Sequence, residues 1–483
     1  MSACGHSRFQ AAQLSEEIAT SAIGDPVATT PGSVPAETTN LAHKYQSLGL
    51  SAQTEKRLKQ PVSDTRSVMV KPVVRWAFLA FIFSISFELP QVGLPLEVTT
   101  ITCSIFLLAT LLQPRLCFRP PPRAFWFFVL YLYVYIVLII WHSSGYRSAD
   151  LQKDQAKLLF LFFQLILMCW AACNVLREER SAKAALLIFA ASCTILALVH
   201  LSGVARTTGE LVGNVQRLST LGQNPNILGR HLAIGLLALV GLAYGRRQTA
   251  FRNAFLMWPV VLVIMLALAS TGARGSVLAL GAGLLVFALG GKRGRERLRN
   301  LLVVMLAVGF CVWISFRSET MEQRFVRTID EGSMSQREHL YPAAWKMFLD
   351  RPLVGWGPTI NMWELGSRVG ERDHPFRDTH NLLLELLTVT GVVGAILFCL
   401  AILGCLRAAW RARHGLEGVL PLAMMVAVLV LNVGANLHYD KLFWLLLAYA
   451  MASDSQFRIT RWRRVPTPLG LVEQPATSSF SQA

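Results

Sequence analysis

The chain alternates long apolar runs with shorter polar connections. A transmembrane α-helix needs about 20 apolar residues in succession, because each residue adds only about 1.5 Å to the length of a helix. Runs of near-spanning length fall at about 73–88, 94–113, 124–142, 156–176, 184–204, 225–245, 255–272, 275–291, 299–316, 381–406, 418–437 and 442–454. This pattern predicts an all-α polytopic membrane protein with about twelve transmembrane helices.

Polar stretches flank and interrupt the runs and predict how the chain is organised. Residues 1–70 are rich in Ser, Thr, Ala and Gln without apolar periodicity, which is typical of disorder. We expect a disordered cytoplasmic extension at 1–70, spans one to nine at 71–316, a large periplasmic segment at 317–379, spans ten to twelve at 380–455 and a cytoplasmic tail at 456–483. Inside the periplasmic segment, residues 335–350 predict a helix.

Charge and composition support the membrane class and set the orientation. Only 16% of residues are charged and the mean hydropathy is +0.44, whereas a soluble domain has about 25% charged residues. The net charge of +17 could suggest nucleic acid, but the basic residues cluster in alternate connections such as 115–123, 292–299 and 407–413. Cytoplasmic loops carry such an excess, so the basicity reflects topology, with both termini cytoplasmic and membrane lipids rather than nucleic acid as partners.

Three runs are predicted to go from outside to inside, so that their amino-terminal ends face the outer side. Arg217 lies just before the run at 225–245, Arg274 begins the run at 275–291, and His380 precedes the run at 381–406. Helix amino termini attract anions, and the planar fork of an arginine suits phosphate oxygens. If these helices cluster, they form an anion site at the outer leaflet, where a lipid diphosphate is the obvious anion.

Further candidates lie beside these ends. Asn224 and Pro225 predict a helix start, as an N-cap and a first helical residue. Arg230 follows just over a turn inside, and because a charge at the bilayer centre costs about 2.5–3.5 kcal/mol we expect it to face protein or water. The possible secondary contacts are Arg206, Asn224, Asn226, Arg230 and Asn381. Each candidate has an ordinary alternative, since the arginines could pair with lipid headgroups or loop acids and His380 could be an interfacial histidine.

Four motifs in this order resemble the bacterial O-antigen ligase family, a branch of the polymerase-ligase superfamily with the GT-C-type membrane fold. The motifs are Arg217-Leu-Ser-Thr-Leu-Gly-Gln-Asn-Pro-Asn-Ile-Leu-Gly; Thr271-Gly-Ala-Arg-Gly-Ser; Arg337 followed by Trp345 and Arg-Pro-Leu-Val-Gly-Trp-Gly; and His380-Asn-Leu-Leu-Leu-Glu-Leu-Leu-Thr-Val-Thr-Gly. The resemblance covers roughly residues 73–450. It implies transfer of an undecaprenyl-diphosphate-linked O-antigen onto lipid A-core in lipopolysaccharide biosynthesis, at the periplasmic face of the bacterial inner membrane. The arginines of the family match Arg217 and Arg274, and its histidine matches His380.

The chemistry of these side chains fits that implication. A glycosyl diphosphate carries a good leaving group, so the reaction needs cations at the departing diphosphate and a base at the attacking hydroxyl. Arg217 and Arg274, with Arg337, would bind the diphosphate, and His380 would act as the base. The sequence has no Asp-x-Asp pair, and nothing else in it suggests a metal or cofactor site. We therefore expect a metal-independent, single displacement that inverts the anomeric configuration.

Other functions remain open at this stage. An O-antigen polymerase or a protein O-oligosaccharyltransferase would share the chemistry and differ in the acceptor, which the outer loops would select. A transporter of lipid-linked glycans would need no chemistry, but transporters usually carry ionisable groups at mid-membrane. Here the ionisable groups lie near the outer ends of the runs, as with Arg230, His231 and Glu385, which favours surface chemistry. A structural scaffold would leave the arginines unexplained.

Overall fold

The computed structural model describes the backbone of residues 69–87, 97–143, 149–204, 206–212, 215–245, 250–290, 294–316, 337–370, 377–415 and 417–464. The chain divides into two units, Met1–Val68 and Met69–Ala483. The first unit lies outside the described residues, as do most of the predicted tail and part of the predicted periplasmic segment. The disorder expected for 1–70 therefore stays a prediction.

The described chain is almost entirely helical. Its helices are α1 (Pro72–Ile85), α2 (Val98–Thr110), α3 (Pro114–Cys117), α4 (Arg123–Ser143), α5 (Ala149–Val175), α6 (Glu179–Ser202), α7 (Pro225–Gly245), α8 (Ala250–Ser270), α9 (Arg274–Leu289), α10 (Gly294–Phe316), α11 (Arg337–Asp350), α12 (Pro358–Val369), α13 (Leu382–Ala412), α14 (Leu420–Leu431) and α15 (Lys441–Arg464). Each of the predicted apolar runs overlaps one of these helices, and α11 confirms the helix expected at 335–350.

The lengths of these helices make the chain a multi-pass membrane protein. Among the described residues, five helices are long and apolar enough to cross a membrane: Arg123–Trp141, Lys153–Val175, Glu179–Ser202, Pro225–Ala243 and Leu382–Ala412. Shorter apolar helices occur at Pro72–Ile85, Val98–Thr110, Met257–Ser270, Arg274–Leu289 and Leu420–Leu431. The count of twelve spans and the orientation of the chain stay predictions.

The helices pack around a continuous apolar core. Helix α13 contacts α4 and α15, helix α9 contacts α14, and helix α7 contacts α6, α8 and α9. Aromatic rings fill the centre, where Phe128, Tyr131, Phe398 and Trp444 meet. Large apolar side chains also cover the outside of the helices, as Trp258 does with 64% of its surface exposed. A water-soluble protein rarely exposes apolar surface so broadly, so lipid is the natural solvent of these faces.

One β-hairpin departs from the all-α expectation. Strand β1 (Arg206–Val212) pairs antiparallel with strand β2 (Val215–Thr220), and Val212 lies opposite Val215. The chain between the strands is Gly213-Asn214. Two residues of this type between β-branched stretches are a hairpin signal. The prediction missed it because it followed long apolar runs, and a short polar hairpin has none.

A turn between α11 and α12 inserts into the backbone of α13. The Trp356 amide donates to the Thr388 carbonyl at 2.8 Å, and the Val392 amide donates to the Pro352 carbonyl at 2.8 Å. Gly391 has φ 64° and ψ −168°, which breaks the helix between these bonds. A Cβ at this glycine would lie 2.2 Å from a carbonyl oxygen of the turn. The glycine is thus required by both its φ and the close approach, and the turn fixes α11 and α12 against α13.

Arg368 braces α11 against α12. Its Nη2 lies 2.7 Å from Asp350 Oδ2 at the end of α11, and its Nε lies 2.7 Å from Glu364 Oε1 within α12. Burial lowers the pKa of this guanidinium, but the hydrogen bonds and charges of Glu364 and Asp350 more than offset that effect, so the pKa lies above its ordinary value. The brace keeps the two short helices in a fixed relation above the inserted turn.

Candidate active site

Helix α7 begins where the sequence predicts. Its first residue is Pro225, and the side chain of Asn224 accepts a hydrogen bond from the Asn226 amide at 2.9 Å, which satisfies one free donor of the first turn. Gly229, one turn later, lies directly against the start of α9, since a Cβ there would be 2.7 Å from the Ala273 Cβ. The absence of a side chain at Gly229 therefore lets the starts of α7 and α9 lie side by side.

His200 ties the base of the hairpin to the end of α8, just before α9 begins. The ring is buried in the last turn of α6, and its Nδ1 lies 2.6 Å from Thr220 Oγ1 and its Nε2 lies 2.8 Å from Ser270 Oγ. Ser270 gives its own proton to the Ala267 carbonyl, so it accepts from Nε2–H. In the neutral ring Nδ1 then accepts from Thr220. Strand β2 therefore ends beside the turn that begins α9.

Two of the predicted site residues lie on the hairpin. Arg206 is the first residue of β1, and Arg217 is the third residue of β2. The structure describes only the backbone at these two positions, and the side chains of both arginines lie outside what it describes. The backbone places the end of the Arg217 strand near α9 through His200, and the contact of the guanidinium itself stays a prediction.

Arg274 and Arg337 form a pair of neighbouring cations. Arg274 is the first residue of α9, and Arg337 is the first residue of α11. Each guanidinium lies within electrostatic reach of the other, so the two charges repel. Arg337 Nη2 donates to the carbonyl oxygen of Gly434 at 2.6 Å. A carbonyl satisfies the hydrogen bond without cancelling the charge, so an anion placed between these residues would be attracted by both.

His380 lies in a tight turn directly before α13. Its φ of 50° is in the left-handed region, which is uncommon for a residue other than glycine. Its Nδ1 lies 2.5 Å from Asp378 Oδ1, and 42% of its side chain is exposed. In the neutral ring the proton on Nδ1 is held by that carboxylate, which leaves a lone pair on Nε2. Nε2 is therefore the ring nitrogen that can accept a proton.

Asn381 and Glu385 hold the chain on either side of this histidine. The Asn381 side chain caps α13 by accepting from the Leu384 amide at 3.0 Å. Glu385 is buried, and its Oε2 accepts from the Thr379 amide at 3.2 Å and from the Thr379 hydroxyl at 3.0 Å. Glu385 has no predicted role in the sequence. The signal for it was an acid inside an apolar run, which usually has a specific partner.

The connection after α14 gathers these elements. The carbonyl of Val433 accepts from Asn381 Nδ2 at 3.1 Å and from the Tyr341 hydroxyl at 3.1 Å. The next carbonyl, that of Gly434, accepts from Arg337. Two successive carbonyls thus bind the start of α11 and the start of α13. Arg274, Arg337 and the histidine turn are brought to one end of the helix bundle.

Part of the chain matches a known protein family. Residues 258–399 match the family model described as O-antigen ligase. This stretch is therefore similar to the O-antigen ligase family. The resemblance stated from the sequence motifs is thereby confirmed, and members of the family are membrane glycosyltransferase-like enzymes. A search among curated proteins gives no match.

The O-antigen ligase match includes the two neighbouring arginines and the histidine turn, but it begins downstream of Arg217. Arg230, also upstream of the match, has a partner of another kind, because its Nη2 lies 2.6 Å from Asp440 Oδ2 with both side chains largely buried. The expectation that Arg230 faces protein is confirmed. Lys441, the next residue after that acid, binds Glu97, Thr99 and Thr100. The sequence alone predicts no partner for Asp440 or Lys441.

Proposed function

We propose that the protein is an O-antigen ligase that transfers an undecaprenyl-diphosphate-linked glycan to lipid A-core. The transfer takes place at the periplasmic face of the inner membrane. The observation that carries the proposal is a grouping inside and beside the O-antigen ligase match. Arg337 and Asn381, the residue after His380, bind two successive carbonyls, and Arg274 lies within electrostatic reach of Arg337. A glycosyl diphosphate is the substrate whose two reacting ends need these two kinds of group.

The arginines bind the diphosphate. Negative charge grows on the oxygen that links the sugar to phosphorus as that bond breaks, and fixed cations stabilise it. Arg274 and Arg337 repel each other, and an anion between them attracts both and so offsets that repulsion. Arg217 completes the binding set from the hairpin, whose strand ends near the start of α9.

His380 accepts the proton of the acceptor. The hydroxyl oxygen of the acceptor sugar attacks the anomeric carbon while its proton moves to His380 Nε2. The bond between that carbon and the phosphate oxygen breaks, and its electron pair leaves with undecaprenyl diphosphate. Asp378, at Nδ1, keeps the ring in the tautomer that can accept and stabilises it once it is protonated. A single displacement of this kind inverts the anomeric configuration.

The reaction proceeds without a divalent metal, because the arginines supply the positive charge at the leaving group. This proposal follows from the chemistry of the residues and from the lack of an Asp-x-Asp pair in the sequence. The pure protein in excess chelator is expected to transfer at its full rate. A rate that falls in chelator and returns with Mg²⁺ or Mn²⁺ would show that a metal takes part.

The decisive experiment is transfer in vitro with purified protein. Undecaprenyl-diphosphate glycan is incubated with lipid A-core, with further repeat units, or with a protein that presents serine hydroxyls. A product on lipid A-core alone supports the ligase. A lengthened lipid-linked glycan identifies a polymerase, and a glycosylated protein identifies an O-oligosaccharyltransferase. Movement of the intact donor across a vesicle membrane with no covalent product identifies a transporter. The His380→Ala protein, purified in the same way, is the control.

A further inference from the structure

We propose that Glu385 is a positioning residue that holds the His380 turn through hydrogen bonds to Thr379. The proposal rests on the function proposed above, since it takes His380 as the base. Glu385 is the fourth residue of α13 and is 1% exposed. A carboxylate this deeply buried does not contact a substrate, so Glu385 acts through the turn.

Glu385 binds the residue that immediately precedes the histidine. Its Oε2 accepts both from the Thr379 amide at 3.2 Å and from the Thr379 hydroxyl at 3.0 Å. Its Oε1 lies 3.5 Å from Asn361 Nδ2 on α12. A buried carboxylate is costly unless donors surround it, and here backbone, hydroxyl and amide donors all point at it. The positive end of α13 adds to its stability, because the acid lies in the first turn.

The turn needs such support because its backbone is strained. His380 has φ 50°, which a side chain with a Cβ adopts at a cost and keeps only where the surroundings enforce it. The Thr379 bonds fix the chain before the histidine, and the Asn381 cap fixes the chain after it. Without the first of these, the backbone can relax toward an ordinary φ, which swings the imidazole and its Nε2 away from the acceptor.

The hydrogen bonds, rather than the charge of the carboxylate, carry this role. A glutamine has the same shape, and its carbonyl oxygen can accept both bonds from Thr379. Its amide nitrogen would then take the place of Oε1, which Asn361 Nδ2 faces at 3.5 Å. A flip of the Asn361 side-chain amide would present Oδ1, which is buried without a partner among the described residues and can accept. The Glu385→Gln protein is therefore expected to keep the turn. Leucine has a similar volume but no hydrogen-bond acceptor, so the Glu385→Leu protein is expected to lose the conformation of the turn.

Two readouts test the proposal. In the transfer assay, Glu385→Leu and Thr379→Val should lower kcat about 100-fold with KM for the donor nearly unchanged, since misplacement of a reacting group by about 1 Å costs that much. Glu385→Gln should stay within about threefold of the wild-type kcat. In amide hydrogen exchange, the peptide that spans the turn should exchange about tenfold faster in Glu385→Leu and not in Glu385→Gln.

Thr388→Val is the matched control. This buried threonine lies in the same helix, and its hydroxyl donates, within the part of the chain that the structure describes, to carbonyls of its own preceding turn at 2.9 Å and 3.2 Å. The Thr388→Val substitution should leave both kcat and the amide exchange of the turn unchanged. A control effect as large as that of Thr379→Val overturns the proposal, as does a Glu385→Gln protein as impaired as Glu385→Leu. If Glu385→Leu does not fold, the Thr379→Val and Glu385→Gln proteins decide.

The exchange readout separates this inference from the proposed function. If the wild-type protein transfers glycan to none of the acceptors, the ligase proposal fails. Faster exchange in Glu385→Leu would still support the role of the Glu385–Thr379 hydrogen bonds in holding the turn. If the wild type transfers glycan and the turn of Glu385→Leu exchanges its amide hydrogens at the wild-type rate, the positioning role of Glu385 is wrong and the ligase proposal stands.

Discussion

Two arginines near the starts of helices differ in what their side chains meet. Arg230, in the second turn of α7, places Nη2 2.6 Å from the carboxylate of Asp440. Arg337, the first residue of α11, places Nη2 2.6 Å from the neutral carbonyl of Gly434. In both residues Nε is buried without a partner among the described residues, so the difference lies in the group that faces Nη2.

That difference separates an arginine that supports the fold from one suited to bind an anion. A carboxylate cancels the charge of Arg230, and breaking such a buried pair leaves one charge uncompensated. A carbonyl leaves the charge of Arg337 in place, and Arg274 lies within electrostatic reach of it. We infer that Arg230 holds α7 to the connection before α15, while Arg337 is suited to bind a phosphate group. Four predictions test this contrast, in order of decreasing effect.

Replacing His380 with alanine should have the largest effect on turnover. Loss of a general base lowers the rate about 10²–10⁴-fold, while the arginines that bind the diphosphate remain. Transfer of glycan to lipid A-core measures the rate, and binding of undecaprenyl diphosphate to the same purified protein should match the wild type. A variant that turns over at a near-normal rate would remove the base assignment.

Breaking the buried ion pair should mainly affect stability. Arg230→Leu or Asp440→Leu alone is expected to cost about 3–5 kcal/mol, because the remaining charge is buried without its partner. The double variant should recover part of that loss, which thermal unfolding in one detergent can measure. Donor affinity of the protein that remains folded should be close to that of the wild type. A double variant no better than the worse single one would contradict the pairing.

Arg337→Ala should show the opposite behaviour. Removing a charge-assisted bond to phosphate costs about 1.5–3 kcal/mol, so donor binding and turnover should both fall about 10–100-fold. Thermal stability should change little, because the lost protein contact is to one neutral carbonyl. Arg337→Lys should restore little, since a point charge lacks the planar fork. Arg274→Ala should weaken donor binding in the same way. If Arg337→Ala loses stability while its donor affinity is unchanged, Arg337 supports the fold as Arg230 does and does not bind the donor.

Asn381→Ala should have the smallest effect. Loss of an N-cap side chain typically costs about 1 kcal/mol, and here the bond to Val433 is lost with it. Thermal unfolding should show a small decrease, and Asn381→Ser should restore much of it, because serine also caps. An effect as large as that of Arg230→Leu would mean that the bond to Val433 matters more than the cap.

Much of the helical framework could be predicted from the sequence. Each apolar run overlaps a helix, and the start of α7 at Pro225 follows from the cap and the proline. The hairpin was missed, although Gly213-Asn214 between two β-branched stretches was a usable signal. The kink of α13 at Gly391 was not predicted, because the glycine is needed only where the turn between α11 and α12 packs against it, and that turn lies more than thirty residues upstream.

The candidate site could be predicted only in part. The motifs named Arg274, Arg337 and His380, and the structure brings the first two within electrostatic reach of each other. The sequence could not show that Arg337 would meet Gly434, which is 97 residues away. It also could not show that Glu385 would bind Thr379, because that contact depends on the left-handed backbone at His380. The role of Arg217 stays a prediction, since its side chain is not described.

By itself the sequence determined where the helices lie. In lipid the backbone has no water to satisfy it, so a long apolar run can only form a helix that bonds to itself. Only the tertiary structure decided which cation meets a carboxylate and which meets a carbonyl. Those partners lie on distant segments, and helix packing, which depends on side-chain shape along the whole bundle, brings them together.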